Sequence, residues 1–180
     1  GFSVDEAIAY ARAVGGCGLD FFEQPVIADD LAGMAAVAAV DPVIAIGADE
    51  GIHALDDIRR HHDNKAARGV SLKAIKLGGI GAVVKAGQLC GDLGMSVNIS
   101  CKTGESSIAC AAALHVAAVI PNIAWGLTLT HTSLGADVTG QPVPTMSGHA
   151  DALDRPGLGV EVDEDRVRRH RVRVAARDVA

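Results

Sequence analysis

Apolar and polar positions along this chain switch between a helical period and short, nearly continuous apolar runs. Over residues 3–14, Ala7, Ile8 and Ala11 fall on one helix face, Ser3 stands at the cap position, and Glu6 is its capping-box partner three residues on. Gly15, Gly16 and Gly18 end that helix, and residues 19–22 predict a short strand with Glu23 at its C-terminal end and Pro25 stopping further pairing. Asp30 opens an alanine-rich helix running to about Val40, which Asp41 and Pro42 break. Residues 43–48 are all apolar or glycine, the mark of a strand buried on both faces, and Asp49, Glu50 and Gly51 close it.

The same alternation continues. A helix is predicted over residues 55–62, with Arg59 to His62 giving its last turn a positive end. Gly69 precedes a strand over residues 71–77 that carries Lys73 and Lys76 and runs into the diglycine Gly78, Gly79. Beyond it come a helix over 79–93, a strand over 96–100, a helix over 106–119 and a strand over 123–129. Strand ends at Glu23, Asp49, Lys73, Ser100 and Gly126 recur about every 25 residues, the length of one strand plus one helix. Five such units fit either part of a (β/α)₈ barrel, which needs about eight strands, or a doubly wound sheet. After Gly135 the prolines and glycines, among them Pro142, Pro144, Gly148, Pro156 and Gly157, read as loop, and the charged tail from Asp163 as a surface helix or strand.

Composition narrows the class. The chain has 180 residues, 49% hydrophobic and 21% charged, enough for one sizeable core and so for one domain or part of one. Sixteen basic against twenty-two acidic residues, a formal charge of −6, argue against nucleic acid or an anionic membrane as partner and in favour of a small molecule. No apolar run reaches the roughly 18 residues of a membrane span and no signal-peptide pattern opens the chain, so a cytoplasmic location is expected. Cys17, Cys90, Cys101 and Cys110 lack C-x-x-C spacing and are expected to be buried free thiols. With only 3% aromatic residues, small and branched side chains must pack helices closely on a sheet, which favours α/β.

Lys73 is the first candidate for chemistry. An apolar strand makes a buried cation costly, and that cost favours the neutral amine a base requires. Glu23 and Asp49 end apolar runs, where parallel α/β folds place reactive groups. Glu50 is expected to point elsewhere, into a salt bridge or supporting contact, and Lys76 to face away from Lys73 if the strand continues. Gly78 to Gly81 is read as a tight turn, since the full G-x-G-x-x-G of a dinucleotide fold is absent. Glu105 is either an active-site acid or a helix-start residue favoured by the dipole. His61, His62 and Asp63 are expected on a solvated surface, and His115 in helix packing.

Taken in order, Phe22-Glu23-Gln24-Pro25, Gly47-Ala48-Asp49-Glu50 and Lys73-Ala74-Ile75-Lys76-Leu77-Gly78-Gly79 resemble the barrel domain of the enolase superfamily, in its muconate lactonizing and mandelate racemase-like subgroup. Glu105-Ser106-Ser107-Ile108, Pro156-Gly157-Leu158-Gly159-Val160 and Asp163 extend the likeness over nearly the whole chain. The resemblance implies strands four to eight of a (β/α)₈ barrel over residues 1–140, with residues 141–180 a loop and tail packing on the barrel or on a missing capping domain.

It further implies Mg²⁺ as cofactor, with Glu23 and Asp49 as two of its ligands, Lys73 as the base that takes a proton α to a substrate carboxylate, and Glu105 as a further active-site acid. That chemistry passes through an enediolate: racemisation or epimerisation, cycloisomerisation, or dehydration of a small carboxylate substrate. The full-length parent is expected to be a homo-oligomer. The family's first metal ligand, the lysine pair of its second strand and its capping domain have no counterpart in this chain, so the chain alone is expected to be inactive. Gly126 to Thr130 replaces the acidic pair of the eighth strand end, which argues against dipeptide epimerisation. A non-catalytic remnant, or a fragment that complements another chain, is the alternative.

Overall fold

The computed structural model describes residues 1–40 and 44–172. Asp41, Pro42 and Val43, expected to break the second helix and begin the second strand, lie outside the described residues, as does the tail beyond residue 172. A capping box opens α1 (Val4–Val14): the Ser3 hydroxyl accepts from the Glu6 amide, and the Glu6 side chain takes the Ser3 amide. There follow β1 (Phe22–Glu23), α2 (Leu31–Ala38), β2 (Ile46–Ala48), α3 (Leu55–Asp63) and β3 (Gly69–Leu72). Then come α4 (Ala74–Leu77), α5 (Ile80–Asp92), β4 (Ser96–Ser100), α6 (Ser107–Ala117), β5 (Leu127–Thr128), a 3₁₀ turn at His131–Ser133 and α7 (Glu164–His170).

The five strands form one parallel sheet in sequential order, β1-β2-β3-β4-β5. A doubly wound sheet reverses its strand order at a switch point, so this order excludes that alternative and is that of a barrel opened along one side. The fold is α/β, a partial (β/α)₈ TIM-type barrel. Among the described residues, no helix is long and apolar enough to cross a membrane.

Register separates two faces. Phe22 pairs with Ile46, Ala48 with Val70, Val70 with Val97, Leu72 with Ile99 and Ile99 with Leu127, and this row packs outward against Ala7, Val37, Ile58, Val83 and Ala86 of the helices. The opposite row, Glu23, Gly47, Gly69, Ser71, Asn98, Ser100 and Thr128, lies on the concave inner face. At its N-terminal end Phe21 stacks on Trp125, ring centroids 4.3 Å apart. The stack fills the space over Gly47 and Gly69, where a Cβ on Gly69 would come within 2.4 Å of the Trp125 ring and of the Ser96 carbonyl oxygen.

Some elements differ from expectation. β1 and β5 are shorter than predicted because each sits at a sheet edge with one partner; residues before Leu127 turn through Asn122 and Gly126, both at positive φ. The Asn98 amide on β4 takes up the slack, donating to the carbonyls of Trp125 and Gly126 at 3.0 and 3.1 Å. His61 is buried rather than solvated, because it lies three residues after Ile58 on the inner face of α3, with Nδ1 2.8 Å from the Asp57 carbonyl. His62 and Asp63 pair outside it at 2.9 Å. His115 does pack between segments, with Nε2 3.2 Å from the Leu158 carbonyl. Cys17 is exposed in the glycine-rich turn after α1, whereas the other three thiols are buried.

The segment after β5 is held by a buried knot. Asp137 accepts from the Ser107 amide at 3.0 Å, the Ser107 hydroxyl at 2.6 Å and the Val138 amide at 2.7 Å, while Val143 N donates to Ser107 Oγ at 2.9 Å. Asp137 therefore serves the first turn of α6 as a cap from thirty residues away, a position whose own Ser106 makes no side-chain cap bond. Val143, Leu153, Leu158 and Val160 cover Cys110, Ala111 and Leu114, and Arg166 Nη1 ties α7 to the Thr139 carbonyl at 2.8 Å.

Candidate active site

The polar groups collect where the strands end. β1 places Glu23 at its C-terminus, β2 runs into Asp49, and β3 into Lys73, so the three stand on neighbouring parallel strands at one end of the sheet. Asp49 is only 4% exposed. Its carboxylate is fully engaged: Lys73 Nζ donates to Oδ2, and Lys76 Nζ to Oδ1 at 2.6 Å and to the Asp49 carbonyl.

Lys76 is the correction here. The strand stops at Leu72, and Lys73 becomes the N-cap position of α4, whose turn ends at Gly78 in the left-handed conformation, φ 91°. Three residues along a helical turn share a face, whereas along a strand they oppose, so Lys76 joins Lys73 on Asp49. The diglycine was the available signal, because a left-handed glycine commonly follows the last turn of a helix.

Two further residues escaped the sequence reading. Gln24, at φ 37° in the left-handed region that non-glycine residues seldom enter, points its amide oxygen at the Asp49 and Gly51 amides, 2.9 and 3.3 Å away. Its NH₂ group donates to the Val26 carbonyl at 3.1 Å, so one side chain fixes the turn that carries Asp49. Ser71, buried on the inner face of β3, donates its hydroxyl to Glu23 Oε1 and thereby links β1 to β3 across β2. The chain thus brings Asp49, Lys73 and Lys76 into contact, while Glu23 is tied to β3 through Ser71.

Glu105 and Glu50 stand apart from that contact. Glu105 Oε2 accepts from the Lys102 amide at 2.8 Å and lines a cavity of about 50 Å³ with Leu72, Ala74 and Cys101, between β3, β4 and α6. Hydrogen bonding to Cys110, burial and the Glu105 charge all push the Cys101 thiol up, while Cys101 in turn, with His131 and Thr130, lowers the Cys110 thiol against the opposing effect of burial. Glu50 is exposed and makes no ion pair among the described residues; His53 Nε2 meets its carbonyl at 2.9 Å.

Mg²⁺ takes hard oxygen donors, often one or two carboxylates with water and substrate completing the shell. Glu23 and Asp49 are two carboxylates of that type on adjacent strands, but Lys73 and Lys76 occupy both oxygens of Asp49, so an ion there would have to displace a lysine. Among the described residues, no group of three His, Cys, Asp or Glu gathers that could hold a metal.

Five parallel strands in sequential order, with acids and a lysine at their C-terminal ends, place the chain among (β/α)-barrel proteins. Residues 1–166 match the family described as Enolase C-terminal domain-like, and the chain belongs to it. It is 32% identical over 164 residues to the N-succinyl-L-Arg/Lys racemase of Bacillus cereus, covering 86% of this chain and 41% of that protein. It is 30% identical over 162 residues to the chloromuconate cycloisomerase of Pseudomonas putida, covering 84% and 40%. The crystal structure of the muconate lactonizing enzyme from Pseudomonas fluorescens, complexed with muconolactone, superposes with a TM-score of 0.87 at 27% identity, over 93% of this chain and 45% of that one. The chain therefore spans less than half the length of these relatives.

Proposed function

We propose that this chain is the C-terminal part of a Mg²⁺-dependent enzyme that removes a proton α to a carboxylate and passes through an enediolate, as a racemase or epimerase, a cycloisomerase or a dehydratase. One observation carries it: Asp49 and Lys73 end adjacent parallel strands with their side chains in contact. The racemase and cycloisomerases among its relatives support the reaction class, and the muconolactone bound to one of them supports a small carboxylate ligand.

In this assignment Glu23 and Asp49 would hold the ion, which would supply positive charge against the substrate carboxylate. Lys73 Nζ, freed from Asp49 and in the neutral amine form that a base requires, takes the α-proton. Lys76 holds Asp49 from the other side, Gln24 fixes the Asp49 turn, and Glu105 supports the loop after β4 as a hydrogen-bonding acid. Residues 1–140 are the barrel portion and residues 141–180 the loop and tail. The parent is a homo-oligomer, and the chain alone is inactive, because its sheet edges and concave face are open.

Calorimetric titration with Mg²⁺ tests this, on the chain and on a form extended upstream by the family's preceding strands, each beside Glu23→Gln and Asp49→Asn. The extended form should bind the ion and both substitutions should abolish binding. An extended form that binds no Mg²⁺ would sink the assignment. The remaining reading would then be a non-catalytic remnant, which the saturation of Asp49 by two lysines favours.

A further inference from the structure

Two of the three buried thiols face each other, away from the strand-end acids Glu23 and Asp49. Cys101 follows β4, Cys110 lies in the first turn of α6, and the two sulfurs are hydrogen-bonded within one apolar cluster that includes Leu114 and Val143. We propose that Cys101 and Cys110 form a redox-active dithiol that a small hydroperoxide oxidises to a disulfide, with His131 as the base that takes the Cys110 proton. This goes beyond the function proposed above and needs no part of it.

The surroundings hold the pair in place. The Cys101 amide donates to the Thr128 carbonyl at 2.9 Å and the Cys110 amide to the Ser106 carbonyl at 3.1 Å, so both backbones are fixed with the sulfurs in contact. His131 is 4% exposed. Its Nε2 stands 2.8 Å from the Val143 carbonyl, which assigns the ring N–H to that nitrogen and leaves Nδ1 with a lone pair. Nδ1 is buried with no oxygen or nitrogen partner, and the ring meets the Cys110 sulfur instead. The amides of Thr130 and His131 also donate to that sulfur, which favours its thiolate. Glu105 is the other titratable group at the pair, and its charge opposes a thiolate on Cys101. Cys110 is therefore the nucleophile and Cys101 the resolving thiol.

Access is selective. Cys101 lines the cavity of about 50 Å³ between β3, β4 and α6, which has room for hydrogen peroxide but not for a bulky thiol reagent. His131 Nδ1 takes the Cys110 proton and the thiolate attacks the peroxide: an S–O bond forms, the O–O bond breaks, and the leaving oxygen takes the proton back from His131 as water. The Cys101 sulfur then attacks the Cys110 sulfur, so that an S–S bond forms, the S–O bond breaks, and the hydroxide departs with the Cys101 proton as water. Two thiols lose two electrons to one peroxide. The new bond closes the segment 102–109, which carries Glu105, and pins it to α6.

The test is hydrogen peroxide treatment of the folded full chain carrying Cys17→Ser, which removes the exposed thiol, followed by unfolding in iodoacetamide and peptide mass mapping. Peroxide should join Cys101 to Cys110 with the loss of two hydrogens and leave Cys90 to be alkylated, and Cys101→Ser or Cys110→Ser should each abolish the cross-link. Its rate should change by less than about threefold between pH 7 and pH 9, where ordinary thiols with a pKa of about 8.5 gain more than about tenfold. His131→Gln, with its fold checked by thermal unfolding, should restore that steep dependence and slow cross-linking about tenfold at pH 7. No cross-link in the folded chain, a bond to Cys90, a rate in the unsubstituted pair that climbs as an ordinary thiol's does, or a folded His131→Gln with the parent's rate at pH 7 overturns the proposal.

Discussion

Lys76 Nζ lies 2.6 Å from Asp49 Oδ1, although the two residues are twenty-seven positions apart and Lys76 would face away on a continued strand. The contact exists because α4 turns the chain immediately after Lys73, and it places two cations on one carboxylate that is almost fully buried.

Removing the acid should therefore cost more than removing either base. Asp49→Asn leaves two part-buried ammonium groups without their anion and should lower unfolding free energy by about 3 kcal/mol, whereas Lys76→Met, with Lys73 still in place, should lower it by about 1 kcal/mol. Urea midpoints measure both. Equal losses would mean that the lysines act independently of Asp49.

Asp137 should govern an acid limb of stability. Burial raises its carboxyl, but the hydrogen bonds from Ser107, Val138 and Thr139 outweigh that and hold it below its ordinary value of 3.8. With the folded pKa depressed, its contribution is complete above about pH 4 and is lost as pH falls through the folded value. Asp137→Asn should flatten the pH dependence of the melting temperature in that acid window and cost about 2 kcal/mol at neutral pH. A variant with the parent's acid profile would assign that limb to other carboxylates.

Gly69→Ala should be among the more damaging small substitutions. Its new methyl would meet the Trp125 ring and the Ser96 carbonyl oxygen at 2.4 Å, so the Phe21–Trp125 stack must open, at about 1–3 kcal/mol. Trp125 is the chain's single tryptophan, so its emission should shift in the folded variant. Gly47→Ala, whose methyl would stand 3.0 Å from Phe21 and 3.1 Å from Trp125, should shift it less.

Thiol titration separates the cysteines. Exposed Cys17 should react with a disulfide reagent in the native state, while Cys90, whose thiol burial pushes up to about 12, and the enclosed Cys101 and Cys110 should wait for unfolding. Four fast thiols would mean that α5 and α6 are not packed as described.

Local signals reached far into this fold. The capping box at Ser3 and Glu6, the apolar run into Asp49 and the five-residue strand before Cys101 are each decided within a few residues, by side-chain reach and by the burial of one sheet face, and all three stand in the structure. Glu23, Asp49 and Lys73 were legible as strand ends for the same reason. Lys76, Gln24, Ser71 and His61 were not, because their roles depend on where a strand stops, on a left-handed turn, on a neighbour two strands away and on which helix face packs inward.

By itself, the sequence determined the alternation of strand and helix and the placing of Glu23, Asp49 and Lys73 where strands end, since periodicity and capping act over one turn or one strand. Only the tertiary structure decided that the strands lie in sequential order, that Asp49 is held between two lysines and that Asp137 caps a helix thirty residues away. Those contacts join segments far apart in the chain, and their geometry is set by how whole elements pack rather than by the residues beside them.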